Sequence, residues 1–294
     1  MFKQTFLTGF LCLTASLNAQ ISRGFVKEGL TLRSDILGKE VRYSVYLPFD
    51  YETSSRYYPV VYLLHGYTDD DTGWIQFGEA HLIADQAVSA REIPPMILIM
   101  PDAGVSWYIN NHDGSVRYED FFVQEFMPYI EDRFRIRKER RYRAVAGLSM
   151  GGFGALVYAS RHPELFSACA AFSAAVFTDD QIIHYPSQQW SAMLKPVFGP
   201  DLQGKNRLTN HLKKYSPVHI FQNSDPEKLK TVRWYLDCGD DDFLTIGNMQ
   251  LHFIMREKNI QHEFRVRDGG HQWSYWRSGL KKALAFIGTG FHQP

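Results

Sequence analysis

Several features that would identify particular protein classes are missing from this 294-residue sequence. Its three cysteines are too few for a disulfide framework, and no His/Cys spacing typical of a zinc site occurs. Lysine plus arginine and aspartate plus glutamate both total 32, so the formal net charge is zero. The chain has no internal repeat and no low-complexity linker, which favours one domain over several.

A strongly basic surface is also missing. The densest basic segment, 133–143, is interrupted by Glu139 and preceded by Glu131 and Asp132. Such mixed charge is typical of a solvated loop rather than of a polyanion-binding patch. We therefore expect no nucleic-acid partner.

No segment approaches the roughly 18 apolar residues of a transmembrane helix. The N-terminus instead combines Lys3, a short apolar run at 6–17 and a small-residue cleavage site at 17–19, which is typical of a signal peptide. We predict a signal peptide over 1–19, followed by a mature chain, 20–294, that is secreted or periplasmic and has no membrane anchor. A buried N-terminal helix is the alternative. Cys169 and Cys238 remain in that chain, and we expect buried free thiols there, with a single disulfide as the alternative.

The chain alternates short apolar or β-branched runs with longer helical patterns, which predicts an α/β fold with a mostly parallel central sheet flanked by helices on both faces. The predicted strands are 41–47, 59–64, 96–100, 143–146, 168–172, 231–236 and 262–266. The predicted helices are 118–133, 150–161, 242–258 and 276–287. Segment 174–230 breaks this rhythm with prolines and weak helical patterns. We interpret it as an insertion within a single domain, above the sheet edge where clefts of α/β folds commonly lie, because no linker marks its ends.

Residues 147–151, Gly-Leu-Ser-Met-Gly, fit the G-x-S-x-G motif between a predicted strand and a predicted helix. In that setting the serine stands in a strained turn at a helix N-terminus, where free N–H groups favour a developing negative charge. We therefore predict Ser149 as a nucleophile. The alternative is a small-residue turn that serves tight packing.

A serine nucleophile needs a base within hydrogen-bond reach, and in this architecture the acid and the histidine follow the serine in the sequence. His271 follows two glycines after a late strand, so it has no helix or strand face to fill. Among the consecutive aspartates we favour Asp242 as the acid, because it directly precedes a helical pattern, and Asp240 is the alternative. Both loops follow strands of the same predicted sheet.

Two N–H donors should stabilise the oxyanion of acyl transfer. We predict the amides of Met150 and Tyr67, with Gly66 as the alternative to Tyr67, and we expect His65 to brace that turn. The nearby acidic run at 69–71 lacks the ligand spacing of a calcium loop. We predict no metal and no cofactor.

Several of these motifs occur together in one family. The resemblance rests on Leu63-Leu64-His65-Gly66, Pro101-Asp102, Gly147-Leu148-Ser149-Met150-Gly151-Gly152, Cys238-Gly239 with Asp242, and Gly270-His271-Gln272-Trp273. These segments resemble esterases of the α/β-hydrolase fold, a family similar to S-formylglutathione hydrolases, tributyrin esterases, mycolyltransferases and the feruloyl and acetylxylan esterases of carbohydrate esterase family 1. The resemblance covers roughly 26–287.

The resemblance implies a Ser149–His271–Asp242 triad and an oxyanion hole formed by the Met150 and Tyr67 amides. Gln272 departs from the acidic residue that many relatives carry there, which affects local detail only. The predicted signal peptide argues against the cytosolic role of formylglutathione hydrolysis.

The chain is rich in aromatic residues, with six Trp, 16 Tyr and 21 Phe. Trp107, Tyr108 and Trp273 follow strand ends or catalytic loops, and we predict that they bind substrate, with Tyr67 and Trp276 as further candidates. The alternative is that these rings pack the loops.

We expect a secreted serine esterase that removes feruloyl or acetyl groups from plant polysaccharide, so its partner is a small-molecule or polysaccharide-linked ester. The alternatives are a general short-chain carboxylesterase, an acyltransferase with the same triad, and a non-catalytic binding protein. The sequence does not predict an oligomeric state.

Overall fold

The computed structural model describes residues 23–200 and 202–292. An eight-stranded sheet runs through it in the order β1-β2-β4-β3-β5-β6-β7-β8. The strands are β1 (Phe25–Arg33), β2 (Glu40–Leu47), β3 (Val60–Leu64), β4 (Ile97–Pro101), β5 (Arg143–Leu148), β6 (Ala168–Phe172), β7 (Arg233–Gly239) and β8 (His262–Arg267). β1, β2 and β4 pair antiparallel, and the pairs from β4 to β8 are parallel.

The central strands are short and apolar. Every residue of β3, β4, β5 and β6 is buried, which is the pattern of a parallel sheet covered on both faces. The carboxyl ends of β3, β5, β6, β7 and β8 therefore share one edge of the sheet. Loops that leave this edge can bring distant parts of the chain together.

Helices cover the two faces of the sheet. They are α1 (Gly73–Gln76), α2 (Ala80–Ser89), α3 (Tyr118–Phe121), α4 (Met127–Arg133), α5 (Met150–Arg161), α6 (Asp179–Ile183), α7 (Ser187–Gln189), α8 (Lys195–Phe198), α9 (Asn210–Tyr215), α10 (Pro217–Asn223), α11 (Pro226–Leu229), α12 (Thr245–Glu257) and α13 (Trp273–Phe291). Wider π-helical turns, Phe122–Phe126 and Trp190–Leu194, join α3 to α4 and α7 to α8. Tighter 3₁₀ turns occur at Arg140–Tyr142 and Gly204–Arg207.

Two apolar cores lie on opposite faces of the sheet. One contains buried side chains of α4, α5 and α12, such as Ile130, Leu156 and Leu251. The other contains side chains of α2 and α13, such as Ala84 and Leu280. The predicted α/β fold with helices on both faces is therefore confirmed.

Segment 174–230 forms the short helices α6 to α11 rather than further strands. Arg207 is buried there and donates hydrogen bonds to the carbonyls of Leu202, Ile182 and Tyr185. These hydrogen bonds satisfy backbone carbonyls that no strand partner reaches, and they fix the segment between its short helices. The interpretation of this segment as an insertion in a single domain stays a prediction.

Cys169 and Cys238 are buried free thiols, and the alternative of a disulfide is wrong. Across residues 23–200 and 202–292, no helix is both long and apolar enough to span a bilayer. The predicted signal peptide, 1–19, lies outside the described residues.

Candidate active site

Ser149 lies between the end of β5 and the start of α5, in the turn that the glycine motif predicts. Its φ of 53° and ψ of −117° are backbone angles that non-glycine residues rarely adopt. The amide of Ser149 donates to the carbonyl of Phe172 at 2.9 Å, and its carbonyl accepts from Ala175 at 2.9 Å. Neighbouring β6 therefore holds the strained turn in place.

Close packing explains the glycines on either side of the serine. A β-carbon at Gly151 would lie 2.3 Å from the Leu64 carbonyl oxygen, and one at Gly147 would lie 2.3 Å from the Gly151 carbonyl oxygen. Both distances are far shorter than any non-bonded contact allows, so both positions exclude a side chain. The start of α5 consequently contacts the end of β3 directly.

His271 lies in the loop between β8 and α13, beside Ser149. The Ser149 hydroxyl donates to His271 Nε2 across 2.9 Å, and His271 Nδ1 donates to Asp242 Oδ2 across 2.9 Å. The first contact joins residues 122 positions apart in the chain, and the second joins residues 29 apart. The structure thus brings Ser149, His271 and Asp242 into one continuous hydrogen-bonded line.

Asp242 is 4% exposed, and its carboxylate is nevertheless held in the ionised form. Burial alone raises the pKa of Asp242, but hydrogen bonds from His271, Ser173 and the Leu244 amide more than offset this, so its pKa lies below its ordinary value. Trp276 Nε1 in turn donates to the Ser173 hydroxyl at 3.0 Å.

Sequence reasoning missed Ser173. It directly follows β6 at the same sheet edge as the other site residues, and that position was the available signal.

Asp240, the alternative acid, does not contact His271. It is exposed, and its carboxylate accepts from the amides of Asp241 and Gly269. Carboxylate oxygens of Asp240, Asp241 and Asp268 lie within 4.8 Å of one another on the surface, and this cluster is separate from the Ser149–His271–Asp242 line.

The loop after β3 reaches the same edge. His65 is buried; its Nδ1 donates to the Gly66 carbonyl at 2.7 Å, and its Nε2 accepts from the Ala103 amide at 2.9 Å. Burial lowers the pKa of His65, so the ring is neutral and the bonding pattern fixes its tautomer. His65 therefore braces this turn, as the sequence predicts.

The two predicted oxyanion donors lie beside Ser149: Met150 directly follows it in the chain, and Tyr67 lines the cleft. Neither the Met150 amide nor the Tyr67 amide donates a hydrogen bond within residues 23–200 and 202–292. A β-carbon at Gly66 would lie 3.7 Å from Ser149 Cβ, so the Tyr67 loop passes directly beside the serine.

A cleft of about 430 Å³ opens above Ser149. Its walls are mainly aromatic and apolar side chains, with a few polar groups. The lining residues are Gly66, Tyr67, Asp69, Leu148, Ser149, Met193, Phe243, His271, Gln272, Trp273 and Trp276. Trp273, predicted to bind substrate, forms part of this wall and packs edge-on against Trp74 and Trp276 at ring distances of 5.3 and 5.4 Å.

The other two predicted substrate-binding rings lie behind the cleft, and that prediction needs correction. Tyr108 is wholly buried, and its hydroxyl donates to the His65 carbonyl at 3.1 Å. Trp107 is 3% exposed, packs near Tyr67, and donates from Nε1 to the Met193 carbonyl at 3.1 Å. Trp107 thus supports the wall residues Tyr67 and Met193, and Tyr108 supports the loop that carries His65.

A larger open groove, about 1040 Å³, lies near the C-terminal end of α5. Its lining includes Arg140, Arg161, Lys213 and Lys228. Ser149 is at the opposite end of α5, so this groove does not contain the Ser149–His271–Asp242 line. Volume alone therefore does not identify the reactive site.

A mostly parallel sheet with its serine at a strand–helix turn, followed by acid and histidine on later loops of the same edge, defines an α/β-hydrolase fold. The family described as "Putative esterase" matches residues 34–287, so the chain belongs to this esterase family.

Individual relatives agree with this assignment. Esterase Rv1288 of Mycobacterium tuberculosis is 32% identical over 247 residues, covering 78% of this chain and 52% of that protein. The chain thus spans about half the length of this curated relative. An endo-1,4-beta-xylanase/feruloyl esterase of Xylanibacter ruminicola is 30% identical over 169 residues, covering 55% of this chain and 23% of that protein. A solved ferulic acid esterase has a TM-score of 0.80 and 34% identity, covering 92% of this chain and 99% of its own.

Proposed function

We propose that the protein is a secreted serine hydrolase of carboxylic esters, with Ser149 as nucleophile, His271 as general base and Asp242 as the acid that orients it. The observation that carries this proposal is the unbroken line of two 2.9 Å hydrogen bonds from the Ser149 hydroxyl to the Asp242 carboxylate. Such a line activates an otherwise weak hydroxyl nucleophile.

The reaction proceeds in two halves. Ser149 Oγ attacks the ester carbonyl carbon while His271 Nε2 takes the hydroxyl proton, and the ionised Asp242 stabilises the resulting imidazolium. Collapse of the tetrahedral intermediate breaks the ester C–O bond, and His271 returns the proton to the departing alcohol. Water then attacks the acyl-enzyme with His271 again as base, which releases the carboxylic acid and restores Ser149.

The amides of Met150 and Tyr67 act as the oxyanion hole. Neither amide donates to an acceptor among the described residues, and the α5 N-terminus adds a favourable dipole for negative charge. A preorganised donor of this kind contributes roughly 3–4 kcal/mol to transition-state stabilisation.

The proposed substrate is a feruloyl or acetyl ester of plant polysaccharide. Two similar proteins carry feruloyl or ferulic acid esterase in their names, and the cleft has the aromatic wall that suits a planar acyl group or a sugar ring. The signal-peptide pattern at 1–19 fits an extracellular substrate.

Labelling with a fluorophosphonate tests the nucleophile. The wild-type chain should label, Ser149→Ala should not, and Ser115→Ala, a change of an exposed loop serine, should label like the wild type. Labelling of folded Ser149→Ala at the wild-type rate would overturn the assignment.

A substrate panel tests the ester class. Methyl ferulate, acetylated xylan and 4-nitrophenyl acetate, butyrate and octanoate should be compared by kcat/KM. Preference for ferulate or acetylated xylan supports the polysaccharide proposal. A butyrate preference without action on either of those substrates would replace it with a general short-chain carboxylesterase.

A further inference from the structure

We propose that Asp69 is a specificity-determining residue of this cleft: its carboxylate accepts a hydrogen bond from a substrate hydroxyl and rejects substrates that carry a negative charge near the ester. This inference rests on the proposed esterase function and goes further, because it specifies a polar, uncharged substrate class. It concerns a residue that the catalytic line does not use.

Asp69 stands close to the reacting serine. Its amide donates to the Gly66 carbonyl at 3.2 Å, which turns the chain back over the loop after β3. The point where Gly66 would carry a β-carbon lies 3.3 Å from Asp69 Oδ2 and 3.7 Å from Ser149 Cβ. Gly66 therefore leaves the space between the carboxylate and the serine open.

The far side of the carboxylate faces a packed corner. The corresponding point at Gly73 lies 3.4 Å from Asp69 Cγ and 3.4 Å from the Trp273 ring. Asp69 is thus placed where the floor of the cleft meets its aromatic wall. A substrate bound against Trp273 passes beside the carboxylate.

The two following aspartates have structural partners of their own. Asp70 accepts from the Thr72 amide and hydroxyl at 2.8 and 2.7 Å and pairs with Arg42. Asp71 is buried, accepts from the Ser44 hydroxyl at 2.6 Å and pairs with Arg42. Both carboxylates hold the loop and stay outside the cleft lining.

Asp69 has no comparable partner. Among residues 23–200 and 202–292, no cationic side chain pairs with it, and it supplies the one carboxylate of the described cleft lining. Burial raises the pKa of Asp69, the Asp70 charge adds to this, and the Gly66 amide only partly opposes it. A substrate hydroxyl supplies a further donor beside the Gly66 amide, whereas an anionic substrate adds a second like charge.

The hydroxyl can belong to the acyl group or to the alcohol, and a set of four esters distinguishes them. These are the methyl and 5-O-arabinosyl esters of ferulate and of 3,4-dimethoxycinnamate, in which a methyl group replaces the phenolic hydrogen. We expect Asp69→Ala to lower kcat/KM about 10- to 100-fold for the esters that carry the recognised hydroxyl. For the matched esters that lack this hydroxyl, kcat/KM should stay within about threefold of the wild-type value. Loss confined to the ferulate pair identifies the phenol, and loss confined to the arabinosyl pair identifies the sugar.

A second pair of esters tests charge rejection. Monomethyl glutarate carries a carboxylate, and its amide isostere, methyl 4-carbamoylbutanoate, is neutral. The wild type should prefer the amide, and Asp69→Asn should reduce that preference about tenfold or more. Asp70→Asn removes one charge from the adjacent residue and should leave the preference largely unchanged. Equal effects of the two variants would overturn the local role of Asp69.

The outcomes separate this inference from the function it rests on. If wild-type protein neither labels with fluorophosphonate nor hydrolyses any ester, the proposed function fails. If it labels and hydrolyses, and Asp69→Ala and Asp69→Asn keep wild-type melting temperatures and wild-type substrate ratios, the inference about Asp69 is wrong while the esterase assignment stands.

Discussion

Asp237 and Asp242 lie five positions apart at the carboxyl end of β7, yet their surroundings differ. Asp237 is fully buried and accepts from the hydroxyls of Tyr235 and Tyr275 at 3.0 and 2.6 Å and from the Arg267 guanidinium. Asp242 instead bonds a titratable ring, His271, that borders the cleft. The donors to Asp237 join β8 and α13 to β7. Asp242 is instead hydrogen-bonded to a histidine that lines the cleft. Burial alone therefore does not indicate whether a carboxylate is structural or reactive.

The largest expected difference between Asp242 and Asp237 is the loss of kcat caused by Asp242→Asn. The amide keeps the shape of the side chain but no longer stabilises the imidazolium or enforces the productive tautomer. We expect kcat to fall by on the order of 10⁴, with a small change in melting temperature. Steady-state hydrolysis of 4-nitrophenyl butyrate with matched thermal unfolding measures both. A fall in kcat of less than about tenfold would remove Asp242 from the proposed triad.

Asp237→Asn should give the reverse result. It replaces one acceptor oxygen with an NH₂ donor and removes the negative charge that pairs with Arg267, which we expect to cost about 3 kcal/mol in the free energy of unfolding. Turnover per folded molecule should change little. Urea unfolding and active-site titration with fluorophosphonate test this pair of outcomes; a loss of kcat without a loss of stability would contradict the structural role.

Glu119 is a third buried carboxylate, and its contribution to stability depends on pH. Burial raises the pKa of Glu119, but hydrogen bonds from His162 and Arg161 outweigh it and lower the pKa from 4.5 to about 2. Because the folded-state pKa is depressed, ionised Glu119 stabilises the fold above pH 4.5, and this stabilisation is lost as pH falls towards 2. We expect ionised Glu119 to contribute about 3 kcal/mol to the free energy of unfolding at neutral pH.

Glu119→Gln isolates this contribution. The difference in unfolding free energy between wild type and variant should be constant near neutrality and should shrink progressively below pH 4.5. Urea denaturation across that range measures it. A difference that grows as the pH falls would have the wrong sign and would exclude this account.

The smallest effect belongs to Phe243, which directly follows Asp242. Its ring is 67% exposed and lies 4.7 Å from the His271 ring. Phe243→Ala should raise KM a few-fold because it removes part of the cleft wall, and should change stability by about 0.5 kcal/mol or less. Phe253→Ala, at an exposed ring of α12, is the matched control. Equal kinetics for the two variants would show that Phe243 does not touch substrate.

The sheet was the most predictable part of the molecule. Buried parallel strands appear in the sequence as continuous apolar runs, and the strands from β2 to β8 lie within a few residues of their predicted bounds. β1 was missed because its exposed edge carries Lys27 and Glu28 and shows no apolar run. α2 was missed because its buried face consists largely of alanines, which give a weak periodic signal.

The candidate site also has a part that the sequence predicts and a part that it does not. The relation of Ser149 to His271 could be predicted because a strand–turn–helix motif and a shared sheet edge fix both positions. Side-chain direction could not: Tyr108 has a φ of 63°, and its ring points into the core beneath Gly154. Ser173 and Asp69 lie in irregular turns, where spacing carries little information about which way a side chain faces.

The contact between Gly151 and the Leu64 carbonyl has a consequence for how this enzyme can be diversified. It makes the ends of β3 and α5 a single rigid piece, so the two proposed oxyanion donors cannot be repositioned independently. We therefore expect adaptation to new esters at cleft residues outside this contact, such as Asp69, Met193 or Phe243, where side chains can change without moving the catalytic groups.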